Sequence, residues 1–414
     1  LRYTEAYPDS GEGRLDSDCF SRCIQEAETG RQQEKEYWMG DLKEYRAEID
    51  RIDRELVRLF EERMEVSEQI GAYKIENGVK VFDKTREKQK LDEVKGLAHG
   101  DFNQHGVEEL FSQLMSMSRK KQYAMLEKRG AGGRLPFIGV DRLDTDHIRV
   151  VFQGVEGAYS QAAMTAFFGE DVNSFHVARF RDAMEAIAEG SADYAVLPIE
   201  NSTAGIVADN FDLLVDFENY IVAEQIIPVE HVLMGIKDAD LSSVRTVYSH
   251  PQALAQCEGL FQAHPDWKAE PFGNTALAAR KVAQDERKDE AAIGSAFAAR
   301  RFGLQVLKTH ISDEDANATR FMIVTNQRIF RKDARKISIC FELPHSSGTL
   351  YNILSHFIFN NINMTHIESR PIPQRSWEYR FFIDFEGNLA EPSVKNALRG
   401  IREEAINMKI LGNY

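Results

Sequence analysis

No run in the 414-residue sequence approaches eighteen consecutive apolar residues, so no α-helical membrane span is expected. Cysteine is scarce as well. Cys19, Cys23, Cys257 and Cys340 are scattered, with no histidine nearby at zinc-ligand spacing, which argues against a metal site or a disulfide scaffold and for a reducing, cytoplasmic setting. Basic charge is in deficit: 51 Lys and Arg face 66 Asp and Glu, a formal charge of −15 that argues against a general nucleic-acid binder. Any anionic ligand must be gathered by local groups of Arg and Lys. Residues 1–40 lack both an apolar core and an Arg-rich, acid-poor bias, so they are neither a secretory signal nor a transit peptide. They are polar and acidic, and are expected to form a disordered leader ahead of a functional start at Met39. Hydrophobic residues at 43% and charged residues at 28% are ordinary for a globular chain, and the length suggests two to four domains.

The strongest pattern runs from Asp41 to Glu76. Leu42, Tyr45, Ile49, Ile52, Leu56, Leu59, Met64, Val66 and Ile70 recur mostly at spacings of three and four with charged residues between them, which predicts an amphipathic helix capped by Asp41. At 1.5 Å per residue it is roughly 50 Å long, too long for one small domain, so its stripe must meet a partner in a coiled coil or an intertwined dimer. Arg63 and Lys74 are eleven residues apart, which leaves them about 20° apart in phase and roughly 16 Å apart along the axis. They share a face and can lean towards one small anion. Arg46 is out of phase with Arg63 by about 100° and lies about 25 Å away, so a functional Arg46 must serve a second protomer's pocket.

Asn77-Gly78 breaks the helix, a second helix starts at Asp83-Lys84-Thr85-Arg86-Glu87, and a third spans Val107 to Glu127. Residues 41–128 are thus an all-α domain. Residues 129–147, opening with Arg129-Gly130-Ala131-Gly132-Gly133, read as a linker. From 148 to 327 short strands (Ile148 to Phe152, Tyr194 to Pro198, Ile221 to Ile227, Val244 to Tyr248, Ala291 to Gly294, Arg320 to Thr325) alternate with helical patterns such as Ala162 to Phe168 and Thr275 to Gln284, an α/β domain. From 335 to 414 the order strand, helix, strand, strand, helix, strand gives a ferredoxin-like α+β unit, βαββαβ.

Arg46, Arg63, Lys74, Asp83, Arg86 and Glu87, with Ser118 and Gln122 at i and i+4 on one face of the third helix, resemble in type, order and spacing the active site of AroQ-type chorismate mutases. That resemblance implies a substrate, chorismate, that is a dianion and rearranges to prephenate in one pericyclic step. Such an enzyme needs no nucleophile, metal or cofactor; it folds the substrate and stabilises charge on the breaking ether oxygen. The resemblance implies that Arg63, and Arg46 from the other subunit, hold the carboxylates, that Lys74 and Gln122 donate to the ether oxygen, and that Glu87 accepts from the ring hydroxyl. Arg86, Asp83 and Ser118 complete the pocket.

In the α/β domain the loops Gly154-Val155-Glu156-Gly157-Ala158-Tyr159-Ser160, Pro198-Ile199-Glu200-Asn201-Ser202-Thr203, Ser249-His250-Pro251-Gln252, Gly273-Asn274-Thr275 and Asn317-Ala318-Thr319-Arg320-Phe321 fall at strand ends, and three lead into helices, where backbone N–H groups bind anions. The set in this order resembles prephenate dehydratases, which have a two-lobed, periplasmic-binding-like fold. The family assigns its essential hydroxyl to Thr319, with Asn201, Gln252, Ser249, Thr275 and Glu200 as supporting polar groups. A threonine hydroxyl is a poor acid, so a relay or a hydrogen bond to the leaving oxygen is as reasonable as full proton donation. Arg320 and Phe321 are either structural or functional, and His250 reads as a turn residue beside Pro251. Ala158 stands where the family more often has Ser, which removes one anion-binding hydroxyl.

The C-terminal unit resembles an ACT domain. Glu368-Ser369-Arg370-Pro371 matches the motif of phenylalanine-regulated dehydratases, and Gly348-Thr349-Leu350 stands where Gly-Ala-Leu is usual. The implied effector is phenylalanine. Taken together, residues 42–414 resemble the bifunctional chorismate mutase/prephenate dehydratases, or P-proteins, acting on chorismate and prephenate as a homodimer or higher homo-oligomer. Two rival readings remain at this stage: a non-catalytic amino-acid sensor, and a dehydratase whose helical domain only dimerises.

Overall fold

A computed structural model describes residues 42–130, 135–313 and 316–414. Asp41, the expected leader and the start at Met39 lie outside them. The first helix, α1, spans Leu42–Glu76. By its internal contacts the chain divides after Ile70, and each part is described by itself. In the first part the apolar stripe faces water: Leu42, Tyr45, Ile49, Leu56, Val66 and Ile70 are each between 47% and 61% exposed.

The second part begins with the end of α1, then α2 (Lys84–Leu97) and α3 (Asp101–Lys128). Gly71 brings the end of α1 close to α3, since a Cβ there would lie 2.9 Å from Gln122 Cγ. The expected linker is not all linker. Ile138–Val140 is a strand, β1, which pairs in parallel with β13 (Ile329–Arg331) at the far end of the α/β domain. Three residues are too few for a periodic signal, and only the pairing makes the strand.

The α/β domain has two lobes. The first comprises β2 (Arg149–Gln153), α4 (Tyr159–Phe168), β3 (Asn173–Val177), α5 (Phe180–Ala188), β4 (Tyr194–Asn201), β5 (Gly205–Ile206), α6 (Ala208–Asp216), β6 (Tyr220–Pro228) and the returning strand β12 (Ala318–Thr325). The second comprises β7 (His231–Gly235), β8 (Thr246–Ser249), α7 (Pro251–Ala255), α8 (Glu258–Ala263), β9 (Lys268–Pro271), α9 (Thr275–Asp285), β10 (Glu290–Ser295), α10 (Ala296–Arg301) and β11 (Gln305–Lys308), its sheet ordered β11-β7-β10-β8-β9. The chain crosses between lobes twice, from β6 to β7 and from β11 to β12. Apolar side chains fill both faces of each sheet, as the Val-, Ala- and Ile-rich strands require.

The C-terminal unit is βαββαβ as expected: β14 (Lys336–Glu342), α11 (Thr349–Phe359), β15 (Met364–Pro371), β16 (Tyr379–Glu386), α12 (Pro392–Glu404) and β17 (Ile406–Asn413), ordered β15-β16-β14-β17. It is not a separate bead. Among the described residues its sheet continues through a β17–β6 junction into the first lobe, giving ten strands in all. One apolar cluster joins Val151, Leu197 and Met322 of the lobe to Cys340, Phe382 and Leu411. No helix among the described residues is long and apolar enough to cross a membrane.

The junction is closed by glycine. Gly412 pairs with Ile221, and a Cβ there would fall well inside van der Waals contact distance of the Ile221 carbonyl oxygen. Gly412→Ala should prise β17 from β6 at a cost of about 1–3 kcal/mol. Differential scanning calorimetry should show a lower melting temperature, with the C-terminal unit separating as an earlier transition.

Candidate active sites

Between the two lobes lies a cleft of about 280 Å³. Asn201, Val207, Val229 and Thr319 line it from the first lobe, and His231, His250, Gln252 and Thr275 from the second. Register explains the central pair. On adjacent antiparallel strands Thr319 is opposite Asn201, and Asn201 Nδ2 donates to Thr319 Oγ1 at 2.9 Å. The same amide group donates to Asn317 Oδ1 at 2.8 Å, while Asn201 Oδ1 accepts the N–H groups of Thr203 and Ala204 at 3.1 and 2.8 Å. Asn201 is therefore fixed at both ends. Because Thr319 Oγ1 accepts from it, the threonine's own proton is left to donate into the cleft.

Two of the predicted supporting groups are elsewhere. Ser249 is fully buried and its hydroxyl donates to the Ile293 carbonyl at 2.7 Å, so it ties β8 to β10 instead of facing the cleft. Glu200 turns to Arg320 at 3.2 Å. Arg320 is held by ion pairs: Glu224 at 3.5 Å and Asp384 at 3.1 Å also surround it, linking β12 to β6 and to β16. Burial opposes its charge, and Tyr414 together with Asp384 and Glu224 more than restores it. Gln252 and Thr275 are at the starts of α7 and α9, where His250 and Asn274 are the caps, each accepting a backbone N–H with its side chain. His250 is thus a capping turn residue. In the first loop Gly157 needs its positive φ of 80°, and its N–H donates to Gln161 Oε1 at 2.7 Å. That donor is spent within the protein, and the cap position, Ala158, supplies no side-chain bond.

Sequence reasoning missed a buried polar chain on the cleft wall. His231 Nε2 is 3.0 Å from Gln256 Oε1 and its Nδ1 is 3.3 Å from the Tyr159 hydroxyl. The amide oxygen can only accept, so Nε2 carries the proton and Tyr159 donates to Nδ1. Burial pushes the His231 imidazole down and the Tyr159 phenol up, which keeps both neutral. The only sequence signal was Tyr159 inside the first loop. His231 and Gln256 are 25 residues apart and neither belongs to a motif.

In the helical region Lys74 is half-buried and donates to the Val81 carbonyl at 2.6 Å. Asp83 is the N-cap of α2, its carboxylate accepting the Arg86 N–H at 3.0 Å, while the Arg86 side chain is exposed. Ser118 and Gln122 are buried on α3, Ser118 donating to the Leu114 carbonyl at 2.9 Å. Glu87, half-buried, pairs with Arg119, a residue the sequence reading did not select. Arg46 is exposed on α1 and Arg63 half-buried. In the C-terminal unit Gly348 caps α11 with φ 78° and precedes Leu350 by two residues, while Glu368, Ser369, Arg370 and Pro371 are on β15, the outer strand of the sheet. Arg370 reaches the dehydratase-like domain, its Nε and Nη2 meeting Asp212 of α6 at 3.1 and 2.6 Å.

Residues 150–329 match the prephenate dehydratase family and residues 45–123 match chorismate mutase type II. The bifunctional chorismate mutase/prephenate dehydratase of Escherichia coli (strain K12) is 32% identical over 376 residues, 89% of this chain and 95% of that one. Arogenate dehydratase 5, chloroplastic, of Arabidopsis thaliana is 39% identical over 286 residues, 64% of this chain and 67% of that one. The crystal structure of a prephenate dehydratase in complex with L-Phe from Arthrobacter aurescens superposes with a TM-score of 0.59 at 30% identity, covering 64% of this chain and 89% of that one.

If the Asn201 amide aims the Thr319 proton, Asn201→Ala should lower dehydratase turnover by about 100-fold with little change in KM. Steady-state product formation checks this, with circular dichroism reporting the fold.

Proposed function

The chain belongs to the family of bifunctional chorismate mutase/prephenate dehydratases, and on that premise we propose how its two sites divide the work. It is an enzyme of phenylalanine biosynthesis that rearranges chorismate to prephenate, then dehydrates and decarboxylates prephenate to phenylpyruvate. The observation that carries the second assignment is the Asn201–Thr319 hydrogen bond at the cleft wall. Thr319 donates to the departing ring hydroxyl as the C–O bond breaks; the carboxylate leaves as carbon dioxide and its electron pair completes the aromatic ring. Gln252 and Thr275 orient the substrate, and the N–H groups at the start of α9 face its anionic groups.

For the first reaction, Lys74 and Gln122 stabilise the breaking ether oxygen, Glu87 accepts from the ring hydroxyl, and Arg63 with a second copy's Arg46 holds the carboxylates; Arg86, Asp83 and Ser118 frame the pocket. The exposed stripe on α1 supports a homodimer in which the second copy covers it. We place the dimer in the cytoplasm, as the buried free thiols of Cys257 and Cys340 favour a reducing compartment. Phenylalanine, present in the Arthrobacter crystal structure, is the effector, held by Gly348, Leu350 and the Glu368 to Pro371 strand. The Arg370–Asp212 pair conveys its presence to the dehydratase. The 39% likeness to an arogenate dehydratase makes arogenate a second substrate to offer, phenylalanine then being the product.

Lys74→Ala or Gln122→Ala should abolish mutase activity and spare the dehydratase, with Thr319→Ala doing the reverse. Equal loss of both activities in either variant would contradict separate sites. Mixing inactive Arg46→Ala and Lys74→Ala chains should restore about a quarter of the mutase rate if Arg46 acts across the dimer. Asp212→Ala should weaken phenylalanine inhibition of phenylpyruvate formation without lowering the uninhibited rate.

A further inference from the structure

Arg119 belongs to neither site as assigned, yet it touches one of them. It lies on α3, one residue beyond Ser118, and is 8% exposed. One end of its fork meets Glu87 Oε2 and the other donates to Glu404 Oε1 of α12 at 2.6 Å. The guanidinium carbon is 4.9 Å from the centre of the Phe82 ring. Burial opposes its charge, but Glu404 and Glu87 together hold it protonated. The same Glu404 oxygen is met by His356 Nε2 at 3.1 Å, in a fully buried imidazole for which Gly400 makes room. Glu87, Arg119 and Glu404 border a cavity of about 270 Å³ that Ser346 and Thr349, beside the proposed effector residue Gly348, also line.

We infer that Arg119 is a positioning residue of the mutase: it holds one oxygen of Glu87, leaves the other to accept from the substrate's ring hydroxyl, and through Glu404 makes that alignment depend on the C-terminal domain. The inference rests on the reading of Glu87 as the mutase acceptor. A carboxylate on a rotatable stem needs a fixed partner to present one oxygen, and a planar guanidinium with two anchors supplies it. Docking of α3 onto the C-terminal domain does not need this contact. Lys120 Nζ reaches the Ser355 carbonyl at 3.0 Å and its hydroxyl at 2.8 Å, Tyr123 pairs with Glu403, and Arg399 with Glu127.

The test is a mutant cycle in the full chain, with mutase kcat and KM for chorismate measured for Glu87→Gln, Arg119→Gln, Arg119→Lys, the double variant Glu87→Gln/Arg119→Gln, Glu404→Gln and Tyr123→Phe. Dehydratase turnover on the same preparations reports folding. Arg119→Gln should lower mutase kcat by about 10-fold to 100-fold with KM within about twofold, and Arg119→Lys should recover part of it. In the Glu87→Gln background the further loss should vanish, since Arg119 acts through Glu87. Glu404→Gln should lower kcat by about threefold, and Tyr123→Phe, which removes one docking hydrogen bond and leaves the Glu87–Arg119–Glu404 contacts intact, should not. Wild-type kcat in Arg119→Gln, an undiminished effect in the Glu87→Gln background, or an equal loss in Tyr123→Phe would each overturn the inference. Full activity in Glu87→Gln would instead remove the reading beneath it.

Discussion

One guanidinium, that of Arg320, is answered by three carboxylates on three different strands: Glu200 of β4, Glu224 of β6 and Asp384 of β16. Lys336 adds a second cation to Glu224 at 2.6 Å, and Ser338 binds Asp384 at 2.5 Å. Arg320 and Asp384 are sheltered while Glu200 and Glu224 are more open to water, so the loss of a partner is felt most at Asp384. The value of the cluster is geometric. The residue beside Arg320 is Thr319, so the strand that carries the proposed dehydratase hydroxyl is paired with β4 and β6 and tied by an ion pair to the C-terminal sheet at once.

The mutase half repeats this logic with different parts. Glu87 is tied to the C-terminal unit through Arg119 and Glu404 as Thr319 is tied through its neighbour to Asp384. The C-terminal unit therefore contacts, at one remove, a residue from each proposed site. Arg370, in the effector motif, gives a third tie, to Asp212. Ion pairs thus join the βαββαβ unit to a residue in or beside each proposed site.

Much of this was legible in the sequence. The three-and-four spacing of α1, the change of period after residue 147 and the βαββαβ order all set elements that the structure has within a few residues. What failed did so for identifiable reasons. Strand β1 and its partner β13 are three residues each, stabilised by a pairing across nearly two hundred residues that no local pattern records. Ser249 was read as a cleft group from its motif, yet period two along β8 puts it on the same buried face as Val247, and that alternation was available. Arg119 and His231 carried no signal, because their partners are remote in sequence: 32 residues separate Arg119 from Glu87 and 285 from Glu404, and 72 separate His231 from Tyr159.

The described lining of the interlobe cleft holds no arginine, lysine, aspartate or glutamate, only amides, hydroxyls, apolar groups and the rings of His231, His250 and Tyr159. A dianion there is met by neutral dipoles in a sheltered space, whereas the proposed mutase pocket is built from guanidinium and ammonium groups. Counter-ions compete with the second arrangement far more than with the first. Rising ionic strength is therefore expected to weaken substrate binding more at the proposed mutase pocket than in the interlobe cleft.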